Sequence, residues 1–149
     1  IIGGNTRQES VYKALKKINK YKPKNVIIHD AARPFITQDL IARLFSELET
    51  AEAVFPIIPI SDALWYKSEN SFNKGPTRDL LFRAQTPQGF YFEQIKKLYE
   101  NNNETHLDDI SIAQSHKLKI SGILGDPINI KLTNPEDLTF AEKVSKIWM

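Results

Sequence analysis

The chain has 149 residues, 41% hydrophobic and 26% charged, a balance that suits a single globular domain spanning residues 1–149. Its formal charge of +2 comes from 20 basic and 18 acidic residues scattered along the sequence, which excludes the basic arm of a typical nucleic-acid-binding protein. The absence of cysteine excludes disulfides and thiolate catalysis. No segment approaches the roughly 20 apolar residues of a membrane span, and we expect a soluble, cytoplasmic protein.

The N-terminal part of the chain predicts alternating helices and strands, the pattern of an α/β protein. Residues Thr6 to Glu9 have the spacing of a capping box, and apolar residues recur at helical spacing up to Ile18. The run Val26 to Ile28 is short and β-branched throughout, which predicts a central parallel strand. A second helix is expected from about Gln38 to Thr50, with Thr37 as its N-cap.

The most informative stretch is His29-Asp30-Ala31-Ala32-Arg33-Pro34, which follows this strand directly. Ligands in α/β sheets bind beyond the carboxyl ends of strands, so we expect Asp30 to face a crevice. Its carboxylate is suited to holding Mg²⁺ against a phosphate, because this hard cation prefers oxygen ligands and needs only one or two from the protein. The small Ala31 would allow backbone amides to approach a ligand. An acid at this position can also be a turn residue or a helix cap.

The middle of the chain predicts a buried strand followed by a projecting arm. Pro56 and Pro59 interrupt the apolar run that begins at Ala53, which argues for an edge strand or a bend. In residues 62–83, apolar segments flank a polar stretch, as in a β-arm. An isolated two-stranded ribbon with exposed aromatic residues is marginal in water, so we expect a second subunit to cover it. The alternative is that the arm folds back onto its own domain.

The C-terminal half predicts further helices and short strands. Asp108 and Asp109 are expected to serve the positive end of a helix dipole. The expected helices and strands, in chain order, are a helix at about Phe92–Glu100, a helix at Ile110–His116, strands at Lys119–Ile120 and Ile128–Lys131, and a helix that Asn134 caps and that runs through Ile147.

Several common types of site are not supported by the sequence. The three histidines lack the paired spacing of a zinc site. The chain contains no Gly-x-Ser-x-Gly elbow, no Gly-x-Gly-x-x-Gly fingerprint and no Walker loop. The sequence therefore favours neither a serine hydrolase nor a dinucleotide-binding protein.

Four motifs, taken in order and spacing, resemble the 2-C-methyl-D-erythritol 4-phosphate cytidylyltransferase family. They are Gly3–Val11, His29–Pro34, Arg78 through Gln88, and Asn129–Leu138. The resemblance covers nearly the whole chain and implies a Rossmann-like, mostly parallel sheet flanked by helices. It also implies a homodimer joined by the arm, which uses CTP and Mg²⁺ to make a CDP-linked polyol and releases pyrophosphate for isoprenoid precursor biosynthesis.

The resemblance assigns the nucleotide-binding residues by position. Gly4 and Ser10 match residues that contact the cytidine part of CTP, and Asn5 stands where the family more often has an aspartate. Ala31 belongs to the same nucleotide-binding set. Asp30 matches the aspartate that lies beside the metal and the triphosphate, so it is expected to be both a catalytic residue and the metal ligand.

The resemblance also assigns residues to the acceptor. Arg78 matches an arm arginine that reaches across the dimer to the substrate phosphate, Thr86 a threonine lining that site, and Lys131 a lysine beside the attacking phosphate. Attack of one phosphate on another brings two anions together, so cations must offset their repulsion. Arg78 can clamp phosphate oxygens in a planar fork, whereas Lys131 acts as a point charge. Arg78 and Lys131 thus complete the expected catalytic set with Asp30.

Three departures from the family pattern leave alternatives open. Ala63 and Leu107 stand where threonines are usual, so two hydroxyl contacts to the acceptor are expected to be lost. The family's Gly-rich nucleotide loop, with its arginine and lysine, is not among these 149 residues. We expect the domain to be N-terminally incomplete as given. The alternatives are a ribitol 5-phosphate cytidylyltransferase and a non-catalytic dimerisation or binding module.

Overall fold

The computed structural model describes residues 1–101 and 104–148, which form a β-sheet flanked by helices. The α-helices within these ranges are α1 (Arg7–Ile18), α2 (Gln38–Glu47), α3 (Phe92–Asn101), α4 (Asp109–Ser115) and α5 (Pro135–Trp148). The strands are β1 (Asn25–Ile28), β2 (Ala53–Pro59), β3 (Trp65–Lys67), β4 (Phe72–Lys74), β5 (Phe82–Ala84), β6 (Gln88–Tyr91) and β7 (Ile120–Leu124). Most predicted helix bounds therefore hold to within a residue or two, although α2 ends three residues early.

The main sheet has the order β1-β6-β2-β5, with β7 on the other side of β2. Strands β5 and β6 follow one another along the same edge of β2. Because β1 and β2 both run antiparallel to β6, and β7 runs parallel to β2, the strands β1, β2 and β7 point in one direction. Their carboxyl ends lie at a common edge of the sheet, where α/β proteins usually bind ligands.

The α/β fold and the flanking helices are confirmed, but the strand pairing differs from the expectation. Within the described ranges, β1 pairs only with β6, and that ladder is antiparallel, so these residues supply no parallel neighbour for β1. Of the ladders in the main sheet, only β2–β7 is parallel. The pattern of an apolar run reports burial but not the direction of its neighbour, which is why the antiparallel ladder with β6 was not expected.

The prolines of β2 do not interrupt the strand. Pro56 sits inside β2 where the strand pairs on both sides, so it does not mark an edge, whereas Pro59 at the end of β2 pairs with β5 alone among the described residues. The carbonyl oxygen of Pro56 accepts a hydrogen bond from the Gln85 amide at 2.8 Å. Because the nitrogen and the carbonyl of a strand residue point to the same side, the proline nitrogen, which has no hydrogen to donate, faces the break between β5 and β6. A proline is tolerated there because the ladder is already interrupted.

The arm is a separate two-stranded ribbon. Strand β3 pairs with β4 through Trp65↔Lys74 and Lys67↔Phe72, whereas Phe82 belongs to β5 and joins the main sheet. The side chains of Trp65, Tyr66 and Phe72 are 63%, 61% and 68% exposed. The arm therefore does not bury these rings on its own domain, contrary to the alternative considered above.

The hydrophobic core has a layer on each face of the sheet. Phe90 and Ala53 point to one face, where they pack with residues of α1, α3 and α4. Val54, the next residue of β2, points to the other face and packs against Leu44 and Leu48 at the end of α2. This alternation along β2 is the period of two expected of a strand covered on both faces.

The last predicted strand is absent. Residues 128–131 have no strand pairing, and the amide of the next residue, Leu132, donates to the Ala32 carbonyl at 2.8 Å. None of the described helices is long and apolar enough to cross a membrane.

We predict that Phe90→Ala lowers the free energy of unfolding by about 3–5 kcal/mol, because it removes a fully buried ring that the core cannot refill. Chemical denaturation measures this difference. Leu107→Ala is the matched control, since Leu107 is 96% exposed and its truncation should change stability by less than about 0.5 kcal/mol. Equal effects of the two substitutions would contradict the assigned core.

Candidate active site

Strand β1 delivers Asp30 to the edge of the sheet where the carboxyl ends of β1, β2 and β7 lie. A tight turn follows, in which the Arg33 amide donates to the Asp30 carbonyl at 2.9 Å. The Asp30 amide donates to Oγ1 of Thr86 at 3.0 Å, and Thr86 Oγ1 also lies 3.1 Å from Nδ1 of His29. These contacts fix the backbone of Asp30, so its carboxylate has a defined direction.

The carboxylate of Asp30 lies among cations from distant parts of the chain. Its Oδ2 is 3.0 Å from Nζ of Lys131 and 3.9 Å from Nε of Arg33, and its Oδ1 is 3.5 Å from Nε of Arg7. The Asp30 side chain is only 15% exposed, whereas that of Lys131 is 45% exposed. Lys131 and Arg33 thus present positive charge beside Asp30, which suits an anionic ligand.

Burial and neighbouring charge act in opposite directions on Asp30. Desolvation alone would raise the pKa of its carboxyl group, but the hydrogen bond and charge of Lys131 and the charge of Arg7 outweigh it and lower the pKa. For Arg33, desolvation lowers the pKa more than Asp30 raises it, and the nearby Arg83 lowers it further. Because its pKa is lowered, the Asp30 carboxyl group is held ionised.

Two adjoining cavities meet at this cluster. One, of about 190 Å³, is lined by Asp30, Arg7 and Lys131 together with Asp108 and Leu107. The other, of about 320 Å³, is lined by Arg33, Arg83 and Lys131 among others. Their shared walls, which include Arg33 and Lys131, make one continuous cationic surface.

Buried amides bring the Lys131 loop to the sheet. Gln85 donates from Nε2 to the carbonyls of Asp126 and Asn129, at 2.9 and 3.1 Å. Asn129 in turn donates from Nδ2 to the Thr86 carbonyl at 2.8 Å. Thr86 lines the smaller cavity but is only 5% exposed, and its hydroxyl already contacts the Asp30 amide and His29.

Three of the predicted nucleotide-binding residues, Gly4, Asn5 and Ser10, lie at the N-terminus of α1. The Gly4 amide donates to Oγ of Ser10 at 2.8 Å, and the Asn5 amide to Oε2 of Glu9 at 2.7 Å. Thr6 accepts from the Glu9 amide at 3.0 Å, which confirms the predicted cap. A side chain at Gly4 would overlap the side chain of Glu9, so the close turn requires glycine here. Ala31 lies exposed in the turn after Asp30.

Arg78 is not brought to this site within one chain. It lies in a short 3₁₀ helix, where its Nη1 donates to the Ser61 carbonyl and its Nε is 4.0 Å from Oδ1 of Asp79. Arg78 and Ala63 line a different cavity, beside the arm. Among the described residues, Asp30 and Lys131 therefore meet as predicted, and Arg78 does not join them.

The role of Arg7 and the burial of Asp109 are not evident from the sequence pattern. Arg7 contacts both Asp30 and Asp109, although its sequence position indicates only a member of a capping box. Asp108 caps α4 as predicted, because its Oδ1 accepts from the Ser111 amide at 2.9 Å. Asp109 lies in the first turn of α4 as predicted, and it is also fully buried. A basic residue in the first turn of a helix opposes the helix dipole, and this signal could have drawn attention to Arg7.

The described residues contain no cluster of three or more potential metal-binding side chains. A protein-only metal centre is therefore not indicated in this part of the chain. A single ionised carboxylate beside a cationic cavity is the usual protein contribution where Mg²⁺ is carried mainly by phosphate oxygens.

Fold and pocket together define an α/β domain with a pocket of charged side chains at the carboxyl edge of its sheet, where such domains usually bind ligands. The model of the 2-C-methyl-D-erythritol 4-phosphate cytidylyltransferase family matches residues 1–146, and the chain belongs to this family.

Relatives and solved structures agree with this assignment. The cytidylyltransferase of Neorickettsia sennetsu is 40% identical over 144 residues, and a bifunctional IspD/IspF enzyme of Bartonella bacilliformis is 41% identical over 147 residues. These matches cover 93% and 95% of this chain, but only 62% and 37% of the relatives. The crystal structure of the Thermus thermophilus cytidylyltransferase superposes with a TM-score of 0.88 at 27% identity, covering 98% of this chain and 72% of that one.

We predict that Asp30→Asn changes the acid dependence of stability. Because folding lowers the pKa of Asp30, its ionised form stabilises the folded state above the unfolded-state pKa of about 3.9. That contribution is lost as the pH falls through the lower folded-state pKa. Denaturation between pH 6 and pH 2 should therefore show wild type and Asp30→Asn converging in stability as the pH falls.

Asp39→Asn is the control, because it removes an exposed carboxylate that pairs with Arg43 at 2.8 Å on α2. Its stability difference from wild type should change less with pH. A pH-independent difference for Asp30→Asn would contradict the assigned ion pairs.

Proposed function

We propose that this chain transfers the cytidylyl group of CTP to 2-C-methyl-D-erythritol 4-phosphate and releases pyrophosphate, in the cytoplasm, as a step of isoprenoid precursor biosynthesis. The observation that carries the proposal is the pair formed by Asp30 and Lys131, 3.0 Å apart beside a cationic cavity. Membership of the family supports the choice of reaction.

The reaction requires a phosphate oxygen of the acceptor to attack the α-phosphorus of CTP. A phosphorus–oxygen bond forms to the acceptor while the bond to the pyrophosphate oxygen breaks, and pyrophosphate leaves with the electron pair. Lys131 is half exposed and has further N–H donors besides the one that faces Asp30. It can therefore approach the attacking phosphate and offset the repulsion between the two anions. Arg33, also at the cavity wall, adds fixed positive charge.

Mg²⁺ fits the residues that are present. Asp30 offers an ionised carboxylate at the cavity, which suits a cation whose remaining ligands are phosphate oxygens and water. When bound, Mg²⁺ would neutralise charge on the triphosphate. The backbone contacts from Thr86 and the turn to Arg33 keep Asp30 directed for this role.

The nucleotide and acceptor would approach from different sides. Gly4, Asn5 and Ser10 at the N-terminus of α1, with Ala31 in the turn after β1, are proposed to contact the nucleotide. Leu107 lines the Asp30 cavity and is 96% exposed, so an apolar side chain stands where a hydroxyl would help to bind a polyol. Losing that contact costs about 1 kcal/mol. Ribitol 5-phosphate is the second acceptor to test.

The arm is proposed to join two copies of the chain. Its exposed aromatic residues form the kind of apolar surface that a partner covers. Arg78 lies at the base of the arm, 56% exposed, and would reach the acceptor phosphate of the other copy. Such a dimer would bring together the groups that one chain leaves apart.

Pyrophosphate release by the full-length protein tests the proposed reaction. With CTP and Mg²⁺, 2-C-methyl-D-erythritol 4-phosphate should support a faster turnover than ribitol 5-phosphate. Lys131→Met should lower kcat by roughly 100-fold or more, because it removes charge that stabilises the transition state. Lys143→Met, on the exposed face of α5, is the matched control and should retain the wild-type rate.

A faster reaction with ribitol 5-phosphate would reassign the acceptor. No release with either acceptor would favour the non-catalytic binding module.

Sedimentation velocity tests the arm. The double variant Trp65→Ser/Phe72→Ser should shift the protein from dimer to monomer, because both side chains are exposed on the ribbon and would lose their apolar contacts. Leu124→Ser is the control, since Leu124 is also exposed at 68% but lies outside the arm. A wild-type monomer, or an unchanged dimer of the double variant, would refute the proposed interface.

A further inference from the structure

The guanidinium of Arg7 joins two carboxylates that are far apart in sequence. Its Nη1 and Nη2 donate to Oδ1 and Oδ2 of Asp109, at 3.2 and 2.5 Å, across a separation of 102 residues. Its Nε faces Oδ1 of Asp30 at 3.5 Å. Arg7 therefore uses one edge for Asp109 and another for Asp30, which only a planar group with several donors can do.

Asp109 is built as an anchor for this guanidinium. Its side chain is completely buried, and Oδ1 also accepts a hydrogen bond from the hydroxyl of Tyr99. Burial and the charge of Asp109 raise the pKa of Tyr99, which keeps this hydroxyl protonated as a donor. A buried carboxylate is costly unless it is paired and hydrogen-bonded, and here Arg7 and Tyr99 meet that requirement.

Helix stability does not explain the position of Arg7. It is the first residue of α1, where the helix dipole disfavours a positive charge. The carboxylates of Asp109 and Asp30 stabilise its charge, and they raise the pKa of Arg7 despite the opposing effect of desolvation. The arginine therefore links the N-terminal ends of α1 and α4 to the turn that carries Asp30.

We propose that Arg7 and Asp109 are positioning residues for the cytidylyl transfer: Asp109 fixes the guanidinium of Arg7, which holds the Asp30 carboxylate opposite Lys131. Tyr99 helps to fix Asp109 by donating a hydrogen bond to its Oδ1. This inference rests on the proposed function for its effect on turnover. Its effect on the geometry of Asp30 is independent of the substrate.

The test compares Arg7→Lys and Asp109→Asn in the full-length protein. Arg7→Lys keeps the charge but cannot face both carboxylates, so kcat should fall on the order of 10- to 100-fold, as expected when a reacting group is misplaced by about 1 Å. The KM for CTP should change by less than about threefold, since the nucleotide keeps its own contacts. Asp109→Asn should show the same division between kcat and KM.

Tyr12→Phe is the matched control, because Tyr12 stacks on Tyr99 with ring centroids 6.4 Å apart and loses only a hydroxyl. It should leave kcat unchanged. Arg7→Met supplies the comparison for stability: the melting temperature of Arg7→Lys should lie closer to wild type than that of Arg7→Met. Loss of activity in Arg7→Lys that only follows its loss of folded protein would overturn the positioning role.

Crystal structures of the two variants provide a readout without substrate. In Asp109→Asn, the contact between Arg7 Nε and Asp30 Oδ1 should open beyond 4 Å, whereas an unchanged contact would overturn the proposal. If wild type releases no pyrophosphate but the contact still opens, the positioning geometry is supported and the proposed reaction is the part that fails.

Discussion

The carboxylate of Asp30 lies between cations supplied by α1, by its own turn and by the loop before α5. A partly buried charge of this kind requires compensation, so the arrangement holds only while Arg7, Arg33 and Lys131 are in place. The positive charges of Lys131 and Arg33 are what an anionic substrate would meet. The order of the strands, the hydroxyl of Thr86 and the buried amides of Gln85 and Asn129 all help to fix the position of the Asp30 carboxylate.

The sheet contributes by bringing strand ends together. Strands β1, β2 and β7 point the same way, so the turn after β1 and the loop after β7 emerge at one edge. The break between β5 and β6 then offers Gln85 and Thr86 to that edge, where they bind the Lys131 loop and the Asp30 backbone. The residues between β5 and β6, which interrupt the pairing with β2, therefore support the site.

The proposed site depends on contacts within one chain and on a contribution from a second copy. Within one chain, Asp30 and Lys131 meet, and Asp109 anchors Arg7 beside them. Arg78 lies with the exposed arm and would contribute only from another copy. Coupling part of a site to assembly would make activity depend on dimer formation, since the acceptor phosphate would lack one of its cations in a monomer.

The sequence by itself determined the local features. Capping by Thr6 and Thr37, the helices they begin and an acid directly after β1 depend on neighbouring residues, and the structure confirms them. Strand partners were decided by the tertiary structure, because β1 and the proline-containing β2 are equally apolar in either pairing direction. The same holds for Asp109, which composition places at a helix start but which folding buries against Arg7, 102 residues away. Contacts between distant residues cannot be read from local spacing, and so the anchor behind Asp30 became visible only in the folded chain.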